Sequence, residues 1–310
     1  MKKIIKGILT AGIVLILLGV VFKYKDSVFV YVDQYLSPYK YVTLGDVNEY
    51  YRDYDFEFVQ NTERFVPLDE QDIINIYYTV INAGKSTFTF YCTEDYPGCL
   101  ADVQAIANDR TKLSDINNYV HPYNGFSHIE TEYDSLGRVT INIVRSYTPE
   151  EIDQINQKVD ELYAQLWKSN DSNYNNMLRV HDWIVDHAQY DTSRSENGDS
   201  AYDSDIAYGP LFQGKAVCGG YTDLMQLFLE KAGMKSFRVS TEHHIWNAVY
   251  YNKWLHIDLT WDDPVSNGVT PERTHEFFLL TTKQLLESDR DNGKADHQFH
   301  QPYYPELKEA

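Results

Sequence analysis

A cysteine, a histidine and an aspartate stand in that order at positions 218, 244 and 258, each in a local context that suits a chemical task. Cys218 follows the loop Leu211-Phe212-Gln213-Gly214-Lys215-Ala216-Val217. It precedes Gly219-Gly220-Tyr221, after which Leu224, Leu227, Phe228 and Ala232 run at helical spacing to a stop at Gly233. The pattern predicts a buried helix beginning at Cys218, where a thiol meets the positive end of the macrodipole and N–H groups that favour thiolate. Taken alone, a cysteine there more often serves as a small buried hydrophobe. Downstream, Ser236–Thr241, His244–Tyr251 and Trp254–Trp261 carry the β-branched and aromatic content of three strands. Cysteine on a helix start, histidine on one strand and aspartate on the next supply nucleophile, general base and orienting carboxylate for acyl transfer through a thioester.

Three blocks carry a family likeness: Ala216-Val217-Cys218-Gly219-Gly220-Tyr221, His244-Ile245-Trp246-Asn247, and Trp254-Leu255-His256-Ile257-Asp258-Leu259-Thr260-Trp261-Asp262-Asp263-Pro264. Together they resemble the transglutaminase-like superfamily, with its papain-type Cys-His-Asp core. His181-Asp182-Trp183-Ile184-Val185 and Tyr190-Asp191 resemble its bacterial, membrane-anchored branch, so the likeness runs from about residue 148 to 280. The resemblance implies an α+β fold in which a helix bearing the cysteine packs on an antiparallel sheet bearing histidine and aspartate. It also implies catalytic Cys218, His244 and Asp258 without a cofactor. A water acceptor would make the protein a thiol protease or amidase, and a lysine amine acceptor would make it a protein-glutamine acyltransferase. The rival reading from another class is a membrane-tethered binding module that keeps this fold without turnover.

Strand alternation tests the site independently of likeness, because His244 and Asp258 touch only if they share a face of adjacent strands. A two-residue turn at Asn252-Lys253 pairs Tyr251 with Trp254 and puts His244 on the wrong face. A three-residue connection pairs Tyr250 with Trp254, sets Trp246 opposite Asp258 and makes His244 a diagonal neighbour of Asp258. The site therefore predicts the odd register or a bulge. His243 has the opposite parity and is expected to be an exposed spectator, while Trp246 and His256 are expected to pack around the pair. An oxyanion hole needs two donors: the Cys218 backbone N–H is one, and the Gln213 or Tyr208 side chain is a candidate for the other. No metal site is expected, because the acidic run near Asp262 and Asp263 lacks the ligand spacing of a calcium loop.

Other elements must hold these residues in place. Thr148, Pro149 and Glu151 spell a capping box, and Ile152, Ile155, Val159, Leu162 and Leu166 form the stripe of a core-facing helix. Met177, Val180, Ile184 and Ala188 predict a second helix, on which His181 and Asp182 read as a structural pair. Residues 68–147 read as a small α+β module, with helices near 72–81 and 100–107, strands at 86–91 and 139–144, and a turn at Pro97-Gly98 that could join Cys92 to Cys99. A disulfide or two free thiols both fit that spacing. The whole catalytic region is placed at 148–285, with a stalk at 26–67 and a C-terminal tail at 286–310.

Residues 7–22 are uninterrupted apolar sequence between Lys2, Lys3, Lys6 and Lys23, Lys25. This suits a signal anchor at 1–25 with its N-terminus inside and the body outside, or a cleaved signal peptide. An external body makes envelope proteins or cell-wall peptides the expected substrates. The net charge of −19 would repel nucleic-acid phosphates and excludes a nucleic-acid partner.

Overall fold

The protein is described by a computed structural model covering residues 37–263, 273–291 and 295–308. The expected anchor at 1–25 and the first part of the expected stalk lie outside the described residues, and no helix among those described is long and apolar enough to cross a membrane. Residues 1–43 separate from the rest as their own unit, of which a single 3-10 turn, Pro38–Tyr41, is described. Residues 44–310 make the second compact unit.

That unit begins with residues 44–67, which have no regular element yet do not behave as a stalk. Phe56, Phe58, Val59 and Phe65 are buried, with Phe56 against Tyr119 and Phe237. The sequence lacked a period here because each apolar side chain is placed by a separate tertiary contact rather than by a repeating local conformation. Helix α1 (Glu70–Asn82) is capped by Asp69, whose carboxylate accepts from the Asp72 N–H, and it buries Ile73, Ile76, Tyr77, Val80 and Ile81. Strand β1 (Thr87–Tyr91), helices α2 (Cys99–Asn108) and α3 (Arg110–Asn118), and strands β2 (Phe126–Tyr133) and β3 (Arg138–Arg145) follow, the sheet running β1-β3-β2, all antiparallel. A Cys92–Cys99 disulfide closes the loop between β1 and α2.

Helix α4 (Pro149–Leu166) starts at the expected capping box: Thr148 Oγ1 accepts from the Glu151 N–H, and the Glu151 carboxylate accepts from the Thr148 N–H. Helix α5 (Asn173–His187), the two-residue strand β4 (Gln189–Tyr190), helix α6 (Thr192–Asn197) and strand β5 (Lys215–Ala216) lead to α7 (Cys218–Lys231). Every residue of α7 from Gly220 to Leu229 is buried, because α4, α5 and the last sheet surround it. A helix apolar on most sides is stable only when enclosed in this way.

The last sheet comprises β6 (Ser236–Ser240), β7 (Ile245–Tyr251), β8 (Lys253–Ile257) and β9 (Phe278–Leu280), antiparallel in that order. The strand expected to reach Trp261 stops at Ile257. Asp258 instead caps a short helix, α8 (Leu259–Asp262), its Oδ1 accepting from the N–H groups of Thr260 and Trp261. Helix α9 (Thr282–Asp291) and residues 295–308 complete the chain. The expected C-terminal tail is in fact a strap, with Tyr304 and Leu307 fully buried. The Tyr304 hydroxyl accepts from Asn118 Nδ2 at 2.8 Å and from the Ser240 N–H at 3.1 Å, and donates to Asp115 at 2.5 Å. These bonds join α3 to β6, so the segment expected as a separate module shares a polar core with the segment that follows it.

Candidate active site

The start of α7 is shaped by close backbone approach. Val217, at the N-cap, has no side chain that can cap, which leaves the first-turn N–H groups of Cys218, Gly219 and Gly220 without an intrahelical partner. Val217 N–H donates to Ser204 O at 2.9 Å, and Ser204 Oγ donates to Asp191 at 2.8 Å, tying the preceding loop to the β4–β5 pair. A Cβ on Gly219 would lie 2.5 Å from Asp205 O and one on Gly220 would lie 2.4 Å from Ser204 O. Both separations are too short for a side chain. The pair of glycines after Cys218 is therefore required by the 203–206 loop crossing this turn. Cys218 itself is half-buried and unoxidised.

The β7–β8 hairpin reverses at Asn252, whose φ of 62° is in the left-handed region that asparagine tolerates. Tyr250 pairs with Trp254 and Tyr251 with Lys253, which is the odd register the site requires. His244 Nε2 lies 2.5 Å from Asp258 Oδ2, and the Cys218 sulfur is near enough to favour charge on the same imidazole. Since Nε2 faces Asp258, Nδ1 is the nitrogen left for Cys218. Three further bonds fix the helix to the strand that carries the histidine: Thr222 Oγ1 to Ile245 O (2.9 Å), and Asn247 Nδ2 to Thr222 O and Gln226 Oε1 (3.1 Å each).

Burial disfavours charge on His244, but the Asp258 carboxylate and the Cys218 sulfur outweigh it and hold its pKa up at about 10. Burial likewise opposes ionisation of Asp258, and His244 and His297 overcome it, keeping the carboxyl ionised well below its usual range. His256 takes no part in the proton path. Its Nδ1 accepts from Trp246 Nε1 at 2.9 Å, so Nε2 carries the proton toward Thr282 Oγ1 at 3.0 Å. Burial drives its pKa down to about 3, with the neighbouring His297 adding to the effect. Trp246, held by this bond, stacks on His244 at 5.5 Å. His243 is 84% exposed.

The two side chains expected as oxyanion donors are engaged elsewhere. Gln213 Nε2 donates to Asp203 at 3.0 Å while its Oε1 accepts the Asp203 N–H at 2.7 Å, and the Tyr208 hydroxyl donates to Gln154 at 3.3 Å. Gly214 explains the first: in the left-handed conformation (φ 67°) it ends a short π-helical turn, Gly209–Gln213, and Gln213 brackets the 203 loop. The first-turn N–H groups of α7 are the remaining donors on this side. Burial holds the Tyr190 phenol above its usual pKa. Sequence reasoning missed His297, which donates to Asp258 from 39 residues downstream at 2.8 Å, and Asp289, which holds its other nitrogen at 2.6 Å. No spacing rule connects these residues, since their meeting depends on the path of the strap.

A family model of the transglutaminase-like superfamily matches residues 160–259, the stretch that contains Cys218, His244 and Asp258. Residues 160–259 form a transglutaminase-like domain. Among solved structures the chain is similar to the crystal structure of a TGase, at 16% identity and TM-score 0.31, over 44% of this chain and 45% of that one. It is also similar to the crystal structure of "a Putative Cysteine Protease from Cytophaga hutchinsonii", at 13% identity and TM-score 0.28, over 43% of this chain and 61% of that one. The chain thus spans less than two thirds of the length of either. None of the curated proteins matches it.

A second polar cluster supports α8. His181, fully buried, bonds Asp182 and Asp262 at 3.1 Å each, and Asp182 also receives His275 at 2.7 Å and Arg273 at 3.2 Å. Burial opposes ionisation of Asp182, but its cationic neighbours bring the carboxyl down to about 2. The sequence showed no metal spacing, yet two trios, His181/Asp182/His275 and His244/Asp258/His297, bring ligand-type atoms within 4.8 Å of one another. In both trios carboxylate oxygens already bond ring nitrogens of the same trio. Cavities of about 340 Å³, beside Arg52, His121 and Glu230, and about 630 Å³, beside Arg110 and β2, include none of the three proposed catalytic residues.

Proposed function

We propose that the protein is a cysteine-dependent enzyme acting on amide bonds, with Cys218 as nucleophile, His244 as proton carrier and Asp258 as its orienting anion. The observation that carries this is the His244 imidazole bonded to Asp258 through Nε2, with the Cys218 sulfur near enough to favour its charged form. Transfer of the thiol proton to the imidazole gives the reactive thiolate and imidazolium pair. Thiolate attack on the carbonyl carbon forms the C–S bond and places negative charge on the oxygen, which the first-turn N–H groups of α7 would bind. His244 Nδ1–H then protonates the departing nitrogen as the C–N bond breaks, leaving a thioester and neutral histidine. The same nitrogen takes a proton from water or an amine as it attacks the thioester carbonyl, and the C–S bond then breaks, releasing the acid or the new amide and returning thiolate and imidazolium.

The body of the protein is proposed to work outside the cytoplasm, tethered by residues 1–25, on envelope proteins or cell-wall peptides. Support comes from the lysine-flanked apolar run and from the Cys92–Cys99 disulfide, a bond that persists in oxidising compartments. Hydrolysis is the favoured outcome, since water is the default acceptor. Incubation with envelope peptides, with and without a primary amine, reads the acceptor directly by mass spectrometry as cleavage, ammonia loss or cross-linking. Absence of all three, in protein whose Cys218 alkylates rapidly, would reject these substrates.

A further inference from the structure

Asp258 meets two imidazoles. His244 Nε2 and His297 Nε2 approach the same oxygen, Oδ2, at 2.5 and 2.8 Å, while Oδ1 is taken by the backbone of α8. His297 is itself held by Asp289 of α9, which accepts the His297 backbone N–H at 2.8 Å through Oδ2 and the ring Nδ1 at 2.6 Å through Oδ1. Both residues are at most 1% exposed. The ring is closed in by Phe277, stacked at 5.4 Å, and by the edge of Trp246 at 4.8 Å, so it has one place to sit.

We propose that His297, clamped by Asp289, is a positioning residue of the acyl-transfer site: it fixes the Asp258 carboxylate and sets how firmly His244 holds its proton. The proposal rests on the assignment of Cys218, His244 and Asp258 made above. Each ring nitrogen of His297 faces a carboxylate oxygen, and Nε2 meets the oxygen that His244 also uses. Asp258 Oδ2 is thus shared between two rings whose centroids are 5.3 Å apart. The groups facing the pair are Asp258 and Cys218 on His244, Asp258 and Asp289 on His297, neutral His256 beyond Trp246, and the Tyr190 phenol toward Cys218. Without His297, the whole Asp258 charge falls to His244, which should keep its proton to higher pH but lose the exact aim that Asp258 gives it.

The test is the rate of Cys218 alkylation by iodoacetamide across the pH range, on the intact protein and on His297→Gln, His297→Ala and Asp289→Asn, with circular dichroism confirming the fold of each. His297→Gln keeps a neutral donor beside Asp258. It should move the alkaline limb of the rate profile upward by up to about one pH unit, because an amide N–H draws less on Oδ2 than the imidazole N–H it replaces, a difference on the scale of one hydrogen bond. His297→Ala should lower the neutral-pH rate about tenfold, the scale at which orienting partners act, and the glutamine should restore most of it. If the alanine does not fold, the glutamine and Asp289→Asn profiles decide alone. A merely structural residue would leave the limb where it is, and unshifted limbs in both would overturn the proposal. A parent protein with no rapid, His244-dependent alkylation would overturn the acyl-transfer assignment, and this proposal with it.

Discussion

Asp258→Asn isolates the electrostatic core of the site with almost no change in shape. The two backbone N–H groups of Thr260 and Trp261 can still be accepted by the amide oxygen, so α8 keeps its cap. What is lost is the anion that raises His244 from its ordinary value near 6.5 to about 10, a difference worth about 5 kcal/mol at 1.36 kcal/mol per unit. The amide's own N–H₂ also favours the opposite imidazole tautomer, with the proton on Nδ1 and none on Nε2, so that Nδ1 can no longer take a proton. The rate of Cys218 alkylation near neutral pH should fall by about three and a half orders of magnitude, the figure that about 5 kcal/mol converts to. Stability carries a second signature. A histidine whose pKa is raised on folding contributes stability in full below about 6.5, and this is lost as pH rises through about 10. The parent protein should therefore lose stability across that alkaline span, and the variant should not. Equal alkylation rates, or the same alkaline loss in both proteins, would refute the reasoning.

Three other outcomes follow from the geometry. Gln213→Ala should leave turnover within a few-fold, because its amide is spent on Asp203, whereas an oxyanion donor would cost about a hundredfold or more. Burial raises Asp115 to about 7 against the bonds from Tyr304 and Ser240, so the folded protein holds a proton the unfolded chain has lost. Stability should then fall by about 4 kcal/mol as pH rises from about 4 through 7, a slope that denaturant titrations of Asp115→Asn should lack. Replacing Cys92 and Cys99 by serine should lower unfolding free energy by about 2.5 kcal/mol through the freed seven-residue separation, read as a lower urea midpoint with unchanged alkylation of Cys218.

What the sequence revealed was whatever local rules govern. The capping box at Thr148 and the helix opening at Cys218 are each fixed within a few residues, and strand alternation reduced the His244–Asp258 contact to a choice between two hairpin registers, of which the structure has the odd one. What it concealed depends on distant chain. Residues 44–67 look aperiodic because Arg52 and Phe56 answer to Tyr119, Phe237 and Glu230. The 295–308 strap looks like a polar tail, yet it delivers His297 to Asp258 through Asp289 and Tyr304. Asp258 itself was read as a strand residue, when its capping of α8 is what leaves Oδ2 free to take both histidines. The oxyanion expectations failed for a related reason, since Gln213 and Tyr208 are near in sequence but are turned to Asp203 and Gln154.

The central claim, that Cys218 carries the acyl group, is tested most directly by intact-protein mass spectrometry after mixing with a glutamine-containing peptide and quenching in acid. The account predicts a transient adduct on the Cys218 peptide, either the peptide less ammonia or its N-terminal acyl fragment, which hydroxylamine removes and Cys218→Ala abolishes. Product formation that persists undiminished in Cys218→Ala, or an adduct mapped to another residue, would contradict it.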